Sequence, residues 1–262
     1  MSTAAKALVL CGDGINCDAE TAYALDLAGF SSQRIHCSDL LAAPDKLFSY
    51  QLLALPGGFS FGDEIASGKV LSIKLRQKLK HVLYDYIERG NLVIGICNGF
   101  QILVQLGLLP HAQAEAPRLV SLCHNSGGRF MNKWVHLDVA EKPGPFFAGI
   151  RSLDLPIRHG EGKLSLAADA TKEDQAQVKQ SAPLRYSQDV NGSFDRIAAL
   201  TNEAGNVLGL MPHPEAFVRW SQHPAHNSAA LKSSDAGALL PPDLHKCPPG
   251  LQILQNAAAL IK

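Results

Sequence analysis

The segment NLVIGICNGFQILVQLG, residues 91–107, joins a short apolar run to a helix-like segment through Cys97. Such a nearly continuous apolar run is typical of a strand buried on both faces of a parallel sheet. Gly95 and Gly99 stand two positions to either side of the cysteine. A strand that turns abruptly into a helix strains the corner residue, points its side chain outward and needs small neighbours. The segment therefore predicts a strand, a sharp turn at Cys97 and a helix that stops at Gly107.

Three more apolar runs have the same character. They are KALVLC (6–11), QLLALP (51–56) and NVLGLM (206–211). Helical patterns lie between them at 19–29, after a possible N-cap at Asp18, and at 69–90. Strands that alternate with helices predict an α/β fold of flavodoxin-like, doubly wound type, with a mostly parallel sheet and helices on both faces. In such a fold, ligands bind at the carboxyl ends of the strands.

The middle of the chain has a different pattern. Four shorter strand-like segments are RLVSLCHN (118–125), RFMNKWVHLDVAE (129–141), IRSLDLPI (150–157) and GSFDRIAALT (192–201). Turn signals such as Ser126-Gly127-Gly128 and Asn191-Gly192 separate them. We expect a small antiparallel addition within a single domain, residues 1–262. A loop excursion at 221–249 and a C-terminal helix at 250–262 complete the prediction.

Composition excludes several classes of protein. The chain has 24 lysines and arginines against 24 aspartates and glutamates, so we predict no nucleic-acid partner and interpret KLRQKLKH (74–81) as a solvated helix face. The longest run without an Asp, Glu, Lys or Arg, residues 90–114, is interrupted by Asn98, Gln101 and Gln105, and the first residues lack a secretory pattern. We therefore expect a cytoplasmic protein with no membrane partner.

The six cysteines include no C-x-x-C pair, so neither a disulfide framework nor a ribbon-type zinc site is expected. His223 with His226, and His245 with Cys247, could supply four ligands. Their spacing matches no standard zinc framework, and solvated loop histidines are the simpler interpretation. We predict no metal site.

A cysteine nucleophile needs a base, and the base needs a group that orients it. MPHPE, residues 211–215, offers His213 and Glu215 directly after a buried strand. Prolines on either side of the histidine favour extended chain, in which residues two apart point to the same side with Cα atoms roughly 6.5 Å apart. The carboxylate could then orient the imidazole towards Cys97.

The reaction also needs donors for a developing oxyanion. LPGGFSFGD, residues 55–63, follows another core strand, and its glycines can turn backbone N–H groups towards the site. The N–H groups of Gly58 and Asn98 are the candidates. Each motif alone also fits a plainer interpretation: a buried structural cysteine, a turn with an exposed histidine, or an ordinary Gly-Gly turn.

Together these motifs resemble the class I (triad) glutamine amidotransferases, and among them the glutaminase subunits of phosphoribosylformylglycinamidine synthase. The resemblance covers about the first 220 residues. The cysteine turn with P-H-P-E is specific for triad amidotransferases. The tetrapeptide Asn98-Gly99-Phe100-Gln101 and the segments HGEGKL and GDEIASGK indicate the narrower group.

The resemblance implies hydrolysis of the side-chain amide of L-glutamine. Cys97 would attack the amide, His213 would protonate the departing ammonia, and Glu215 would orient His213. Three further positions match substrate-binding positions of the family: Gly57, Phe59 and Gln101. Helix surface or core packing is the plainer interpretation of Phe59 and Gln101.

The resemblance also implies a partner, an ATP-dependent synthetase subunit that consumes the ammonia, and in some members a small third subunit. No cofactor is expected in this chain, since ATP and Mg²⁺ would bind to the synthetase. Two alternatives remain open at this point. One is a triad amidotransferase that serves another synthetase, and the other is a non-catalytic flavodoxin-like binding subunit.

The chain departs from the family pattern in two places. Ala216 stands where many members have arginine after P-H-P-E, and 221–249 is longer than in compact members. The arginine's contacts with a partner or substrate are therefore in doubt, and the long segment could be a docking loop. His159 could approach the substrate or could equally be a core or surface histidine.

Overall fold

A computed structural model describes residues 4–112, 117–226 and 247–261. The strands are β1 Lys6–Cys11, β2 Ser31–His36, β3 Leu52–Leu55, β4 Leu92–Ile96, β5 Val120–Cys123, β6 Met131–Val139, β7 Ser152–His159, β8 Lys163–Leu166, β9 Leu184–Tyr186, β10 Ile197–Thr201 and β11 Val207–Leu210. The helices are α1 Asp18–Leu27, α2 Cys37–Ala42, α3 Lys69–Glu88, α4 Asn98–Leu106, α5 Lys172–Gln180 and α6 Pro249–Leu260.

Within these residues, one nine-stranded sheet runs in the order β2-β1-β3-β4-β11-β10-β9-β6-β7. Strands β2, β1, β3, β4 and β11 pair in parallel, and we call them the parallel half. Strands β10, β9, β6 and β7 continue the sheet with antiparallel pairing and form the antiparallel half. The predicted α/β fold class is confirmed. Most of the antiparallel addition extends the main sheet, and only β5 and β8 form a separate pair.

The order of the strands explains why helices cover both faces. The crossover from β1 to β2 runs towards one edge of the sheet, whereas the crossover from β3 to β4 runs towards the opposite edge. Because such crossovers are right-handed, α1 and α3 lie on opposite faces of the sheet. In the described part of the chain, α3 also packs on α4 and α1 on α6. The strands between them are fully buried, as the apolar runs predicted.

Five elements were not predicted: strands β2, β8 and β9 and helices α2 and α5. Strand β2 reads SSQRIH and buries only Ile35 while most of its side chains stay exposed, so it shows no apolar run. Helix α5 is polar and depends on a capping box between Thr171 and Asp174. Helix α2 has only six residues. The N-cap prediction was wrong, because Cys17 holds that position without a side-chain cap and Asp18 is the first helical residue.

The predicted excursion at 221–249 lies mostly outside the described residues, which stop at 226 and resume at 247. Helix α6, Pro249–Leu260, corresponds to the predicted C-terminal helix. The single-domain assignment stays a prediction. No helix in the described ranges combines the length and apolarity that a membrane span requires.

The antiparallel half bends back over the parallel half. In the sheet order, β7 stands four positions away from β11. The backbone N–H of His213, just after β11, nevertheless donates to the Pro156 carbonyl of β7 at 2.9 Å. The Arg158 carbonyl, on the same strand, accepts from the Cys97 thiol at 3.6 Å. The edge strand of one half therefore reaches the carboxyl ends of the other.

Candidate active site

Cys97 lies at the corner between β4 and α4. Its backbone has φ 52° and ψ −105°, in the left-handed half of conformational space that residues other than glycine rarely enter. Its N–H donates to the Leu210 carbonyl at 2.8 Å, which ties the corner to β11. The residue is only 5% exposed, and its side chain lines a cavity. This is the sharp strand-to-helix turn that the sequence predicted.

The two flanking glycines are sterically required. A Cβ at Gly99 would lie 1.9 Å from the carbonyl oxygen of Leu55 on β3. A Cβ at Gly95 would lie 2.7 Å from the backbone of Gly99 and 2.5 Å from a Leu103 methyl group. The close approach of β3, β4 and α4 at this corner therefore depends on both glycines.

His213 and Glu215 form a buried pair at the carboxyl end of β11. His213 Nδ1 is 2.7 Å from Glu215 Oε1, and the side chains are 2% and 0% exposed. His213 has the expected extended backbone, but Pro214–Ala216 forms a 3-10 turn. The prediction that both prolines keep this segment extended was therefore wrong for the second one. The turn, rather than strand alternation, brings the carboxylate under the imidazole.

The surroundings of His213 favour its protonated form. Burial opposes a charge on the ring, but the Glu215 carboxylate and the Cys97 sulfur hold the pKa of His213 well above its usual value. Nε2 of His213 is buried and has no hydrogen-bond partner among the described residues. The ring thus has one nitrogen engaged by the carboxylate and the other available in the cavity that Cys97 lines.

This cavity has a volume of about 270 Å³. Aromatic rings of Phe59 and Phe130, 6.2 Å apart between centroids, form part of its wall. Its other lining residues are Asn16, Cys17, Glu20, Gly58, Cys97, Asn132, Arg158 and His213. The cavity therefore brings together the predicted nucleophile, base, one oxyanion donor and one substrate residue. A larger cavity of about 450 Å³ lies at the amino ends of β4 and β11, and no cysteine is among its described lining residues.

The two candidate oxyanion donors follow adjacent strands. Gly58 comes after β3 and has φ 152°; a Cβ there would lie 2.6 Å from the Gly14 carbonyl. Its N–H donates to no acceptor in the described part of the chain. Asn98 is the first residue of α4, where a helix leaves its N–H groups without internal acceptors. Both N–H groups are thus available, and their role stays a prediction.

The Asn98 side chain holds the loop after β3 against α4. Its Oδ1 accepts from the Ser60 N–H at 3.2 Å, and its Nδ2 donates to Gln101 Oε1 at 2.9 Å and to Asp63 Oδ1 at 3.3 Å. Gln101 in turn donates to the Glu161 carbonyl. The amide of Gln101 is therefore engaged inside the protein, and Gln101 does not line the cavity. Its predicted contact with substrate stays a prediction.

Gly57 lies behind the imidazole. A Cβ there would be 2.8 Å from His213 Cε1 and 3.3 Å from the sulfur of Cys17. The glycine thus provides the space in which the histidine ring sits. Phe59, by contrast, is 44% exposed and faces the cavity. Substrate contacts of both residues stay predictions.

Sequence reasoning missed Cys17 as a member of the site. This thiol is 7% exposed and lines the cavity, and burial raises its pKa. Ligand-type atoms of Cys17, His213 and Glu215 all lie within 4.8 Å of one another. The available signal was position, since Cys17 is the N-cap of α1, the helix that follows β1 at the carboxyl edge of the sheet.

His159 is a buried histidine that does not line the cavity. Its Nδ1 is 3.1 Å from Asn125 Oδ1, and Nε2 has no partner among the described residues. Burial, together with the charge of His213, lowers the pKa of His159 to about 4. The ring is therefore neutral at physiological pH, and of the two interpretations the core histidine fits this placement.

Arg158 was also not singled out by the sequence. It lines both the 270 Å³ cavity and a neighbouring one of about 390 Å³ that Glu215 and Ala216 line. Arg158 thus lines one cavity together with Ala216, the position at which the resemblance implies arginine in many family members. Its Nη1 is 3.9 Å from Oε2 of Glu20.

Two of the three histidines considered as zinc ligands, His223 and His226, lie away from the active-site cavity. His223 Nε2 is 3.5 Å from Asp154 Oδ2, and its ring packs on Trp134 and Phe217. His226 lines the same cavity as His223. The third proposed ligand, His245, lies outside the described residues.

Comparisons with known proteins agree with this geometry. The model of the CobB/CobQ-like glutamine amidotransferase domain matches residues 4–258. The chain is 40% identical over 240 residues to the phosphoribosylformylglycinamidine synthase subunit PurQ of Dehalococcoides mccartyi, covering 88% of this chain and 93% of that one. It is 41% identical over 216 residues to PurQ of Thermotoga maritima, covering 81% and 88% of the two chains.

Among solved structures, a chain of PurLQS from Thermotoga maritima matches with a TM-score of 0.73 at 33% identity, covering 99% of this chain and 100% of that one. A glutamine amidotransferase from Thermotoga maritima, at 15% identity and TM-score 0.52, shares the fold over 98% of this chain and 97% of that one. The resemblance noted in the sequence is confirmed. The chain belongs to the glutamine amidotransferase family, within the group of phosphoribosylformylglycinamidine synthase subunits PurQ.

Proposed function

We propose that this chain hydrolyses L-glutamine to glutamate and ammonia and delivers the ammonia to a synthetase subunit that makes formylglycinamidine ribonucleotide. The main support for the proposal is that a strained cysteine at the β4–α4 corner and the histidine of a buried His–Glu pair line one cavity. Strained backbone at a residue other than glycine costs about 1–3 kcal/mol, and such strain concentrates at functional sites.

The first half of the reaction forms a thioester. His213 holds the proton that the Cys97 thiol has given up, and the sulfur attacks the side-chain amide carbon of glutamine. His213 then passes the proton to the leaving nitrogen, and the C–N bond breaks to release ammonia. Water, activated by the same imidazole, cleaves the γ-glutamyl thioester to glutamate and restores the thiol.

Two further groups support these steps. Glu215 holds His213 by its Nδ1, so that Nε2 faces the reacting atoms, and it stabilises the imidazolium. The N–H groups of Gly58 and Asn98 supply hydrogen bonds to the oxyanion of each tetrahedral intermediate. Cys97 also stands at the N-terminus of α4, so its sulfur lies beside the first N–H groups of that helix.

The assembly follows from the relatives. The matched structure from Thermotoga maritima is named for PurL, PurQ and PurS together. We assign this chain the PurQ place in such a complex, and its partners are then a synthetase and a small third protein. Ammonia released into bulk water would be protonated and lost as a nucleophile, so a docked synthetase is required. We place ATP and Mg²⁺ on that synthetase, assign no cofactor to this chain, and expect it in the cytoplasm.

The two alternatives are less well supported. A different synthetase partner is disfavoured because relatives at about 40% identity over most of the chain carry one name. A non-catalytic binding subunit would not require strain at Cys97 or a buried His–Glu pair beside it.

The direct test is Cys97→Ala in the complex with the synthetase subunit. Only amide cleavage needs the thiol, so glutamine-dependent formation of the amidine should be lost while ammonia-dependent formation continues at the wild-type rate. Replacing the exposed Cys123 by Ala is the matched control and should change neither rate. Sustained use of glutamine by Cys97→Ala would reject the proposal.

A further inference from the structure

The active-site cavity has a charged end. Of its lining residues in the described chain, Glu20 and Arg158 alone carry full charges at neutral pH besides His213, which belongs to the reacting end. L-Glutamine is a zwitterion, so a site that binds it must meet one positive and one negative group next to each other on the α-carbon. The cavity offers the Glu20 carboxylate and the Arg158 guanidinium, which lie next to each other.

We infer that Glu20 binds the α-ammonium group of L-glutamine and Arg158 its α-carboxylate, so that these two side chains select an amino-acid amide over a simple amide. The inference rests on the proposed glutaminase function and names the residues that recognise the distal end of its substrate.

Both residues reach the cavity from elements that also border the catalytic groups. Glu20 is three residues after Cys17 on α1, and residues three apart share one face of a helix. Both line the cavity, Cys17 beside His213 and Glu20 about 4.5 Å further along the helix axis.

Arg158 begins beside the nucleophile and extends away from it. Its carbonyl lies 3.6 Å from the Cys97 sulfur, while its guanidinium reaches Glu20. The guanidinium fork matches a carboxylate, which is the commonest reason for arginine at such a position.

The contact between the two side chains is loose. Nη1 of Arg158 and Oε2 of Glu20 are 3.9 Å apart, and the side chains are 42% and 49% exposed. An ion pair of this kind contributes little to folding stability. Because the pair is open to water and weak, a zwitterion can replace it with two charge-assisted hydrogen bonds at little cost.

The test measures hydrolysis by the complex of the full chain with its synthetase subunit, using Glu20→Gln and Arg158→Gln. Three amides are compared: L-glutamine, glutaramate, which lacks the α-ammonium, and 4-aminobutanamide, which lacks the α-carboxylate. Each variant should raise KM for L-glutamine about tenfold, with a smaller change in kcat, since a hydrogen bond to a charged group is lost.

The analogues separate the two assignments. Arg158→Gln should lose the preference for L-glutamine over 4-aminobutanamide but keep the preference over glutaramate, and Glu20→Gln should show the opposite pattern. Arg158→Lys keeps the charge and should retain most of the discrimination. The matched control is Arg34→Gln, which breaks another ion pair to the first turn of α1, with Asp18 at 3.1 Å, away from the cavity. It should leave KM unchanged.

The inference would be overturned if KM for L-glutamine were unchanged in both Glu20→Gln and Arg158→Gln. It would also be overturned if each variant lost its preference for L-glutamine equally against both analogues. Either result would leave the glutaminase function intact. A wild-type complex that fails to hydrolyse L-glutamine would instead reject the proposed function, and this inference with it. Thermal unfolding midpoints of the variants, compared with wild type, identify any change that arises from misfolding.

Discussion

The parallel and antiparallel halves of the sheet contribute different things to one cavity. The parallel half supplies the reacting groups, Cys97 after β4 and His213 after β11, together with Gly58 after β3. The antiparallel half bends over them and supplies walls and charge, including Asn132 and Arg158. Parallel strands end at one edge, so their loops converge there without further adjustment. That edge therefore fixes the chemistry, whereas the antiparallel half completes the wall of the cavity.

The comparison predicts that the largest effects on rate come from the parallel half. His213→Ala should lower glutamine hydrolysis by about 10⁴-fold, because proton transfer to and from the reacting atoms is lost. The loss of rate in Glu215→Gln should be smaller than that in His213→Ala by a factor of about ten or more, since Glu215 orients the ring without touching the substrate. Steady-state kinetics of the complex measures both; a larger loss in Glu215→Gln would contradict the assigned roles.

Packing at the Cys97 corner of the parallel half is close, so adding a methyl group there should lower the free energy of unfolding. Gly99→Ala forces a Cβ to within 1.9 Å of a backbone carbonyl that has little room to move, so we expect a loss of about 3 kcal/mol. Gly127→Ala, in the turn before β6, is the matched control, because nothing lies within 4 Å of that Cβ. It should change the free energy of unfolding by less than about 0.5 kcal/mol. Chemical denaturation measures both, and equal losses would show that the corner is not uniquely tight.

In the antiparallel half, the buried His159 should make the free energy of unfolding depend on pH. His159, at the end of β7, binds a proton near pH 4 when folded, whereas an unfolded histidine does so near 6.5. The unfolded state therefore takes up the proton first, and the stability that neutral His159 contributes is complete above about pH 6.5 and lost as pH falls towards 4. This one group contributes a slope of up to about 1.4 kcal/mol per pH unit in that window.

His159→Asn removes that slope, and urea unfolding at several pH values between 4 and 7 measures it. His81→Asn, an exposed position on α3, is the control and should keep the wild-type slope. If His159→Asn kept it too, the ring would not be held neutral by burial.

Sequence reasoning succeeded where local pattern and final burial coincide. The strands β1, β3, β4 and β11 are apolar on both faces, and the glycines around Cys97 encode a sharp corner, so both could be predicted. Strand β2 could not, because at the sheet edge only Ile35 is buried. The polar helix α5 likewise shows no apolar face to indicate it.

The site followed the same rule. Cys97, His213 and Glu215 are adjacent to predicted strands, so topology alone brings them to one edge. Cys17 follows β1 at the same edge, so the same topological argument was available for it and was missed. Arg158 joins the site only because β7 bends back over the corner, and such an approach depends on tertiary curvature, which no short segment of sequence encodes.

The most direct test of the account is to look for the covalent intermediate on Cys97. The complex is mixed with L-glutamine, quenched in acid during turnover, digested and analysed by mass spectrometry. We predict a γ-glutamyl group on the peptide that contains Cys97, and no such group when glutamine is omitted. Turnover of glutamine with no adduct on Cys97, or with the adduct on Cys17 instead, would contradict the account.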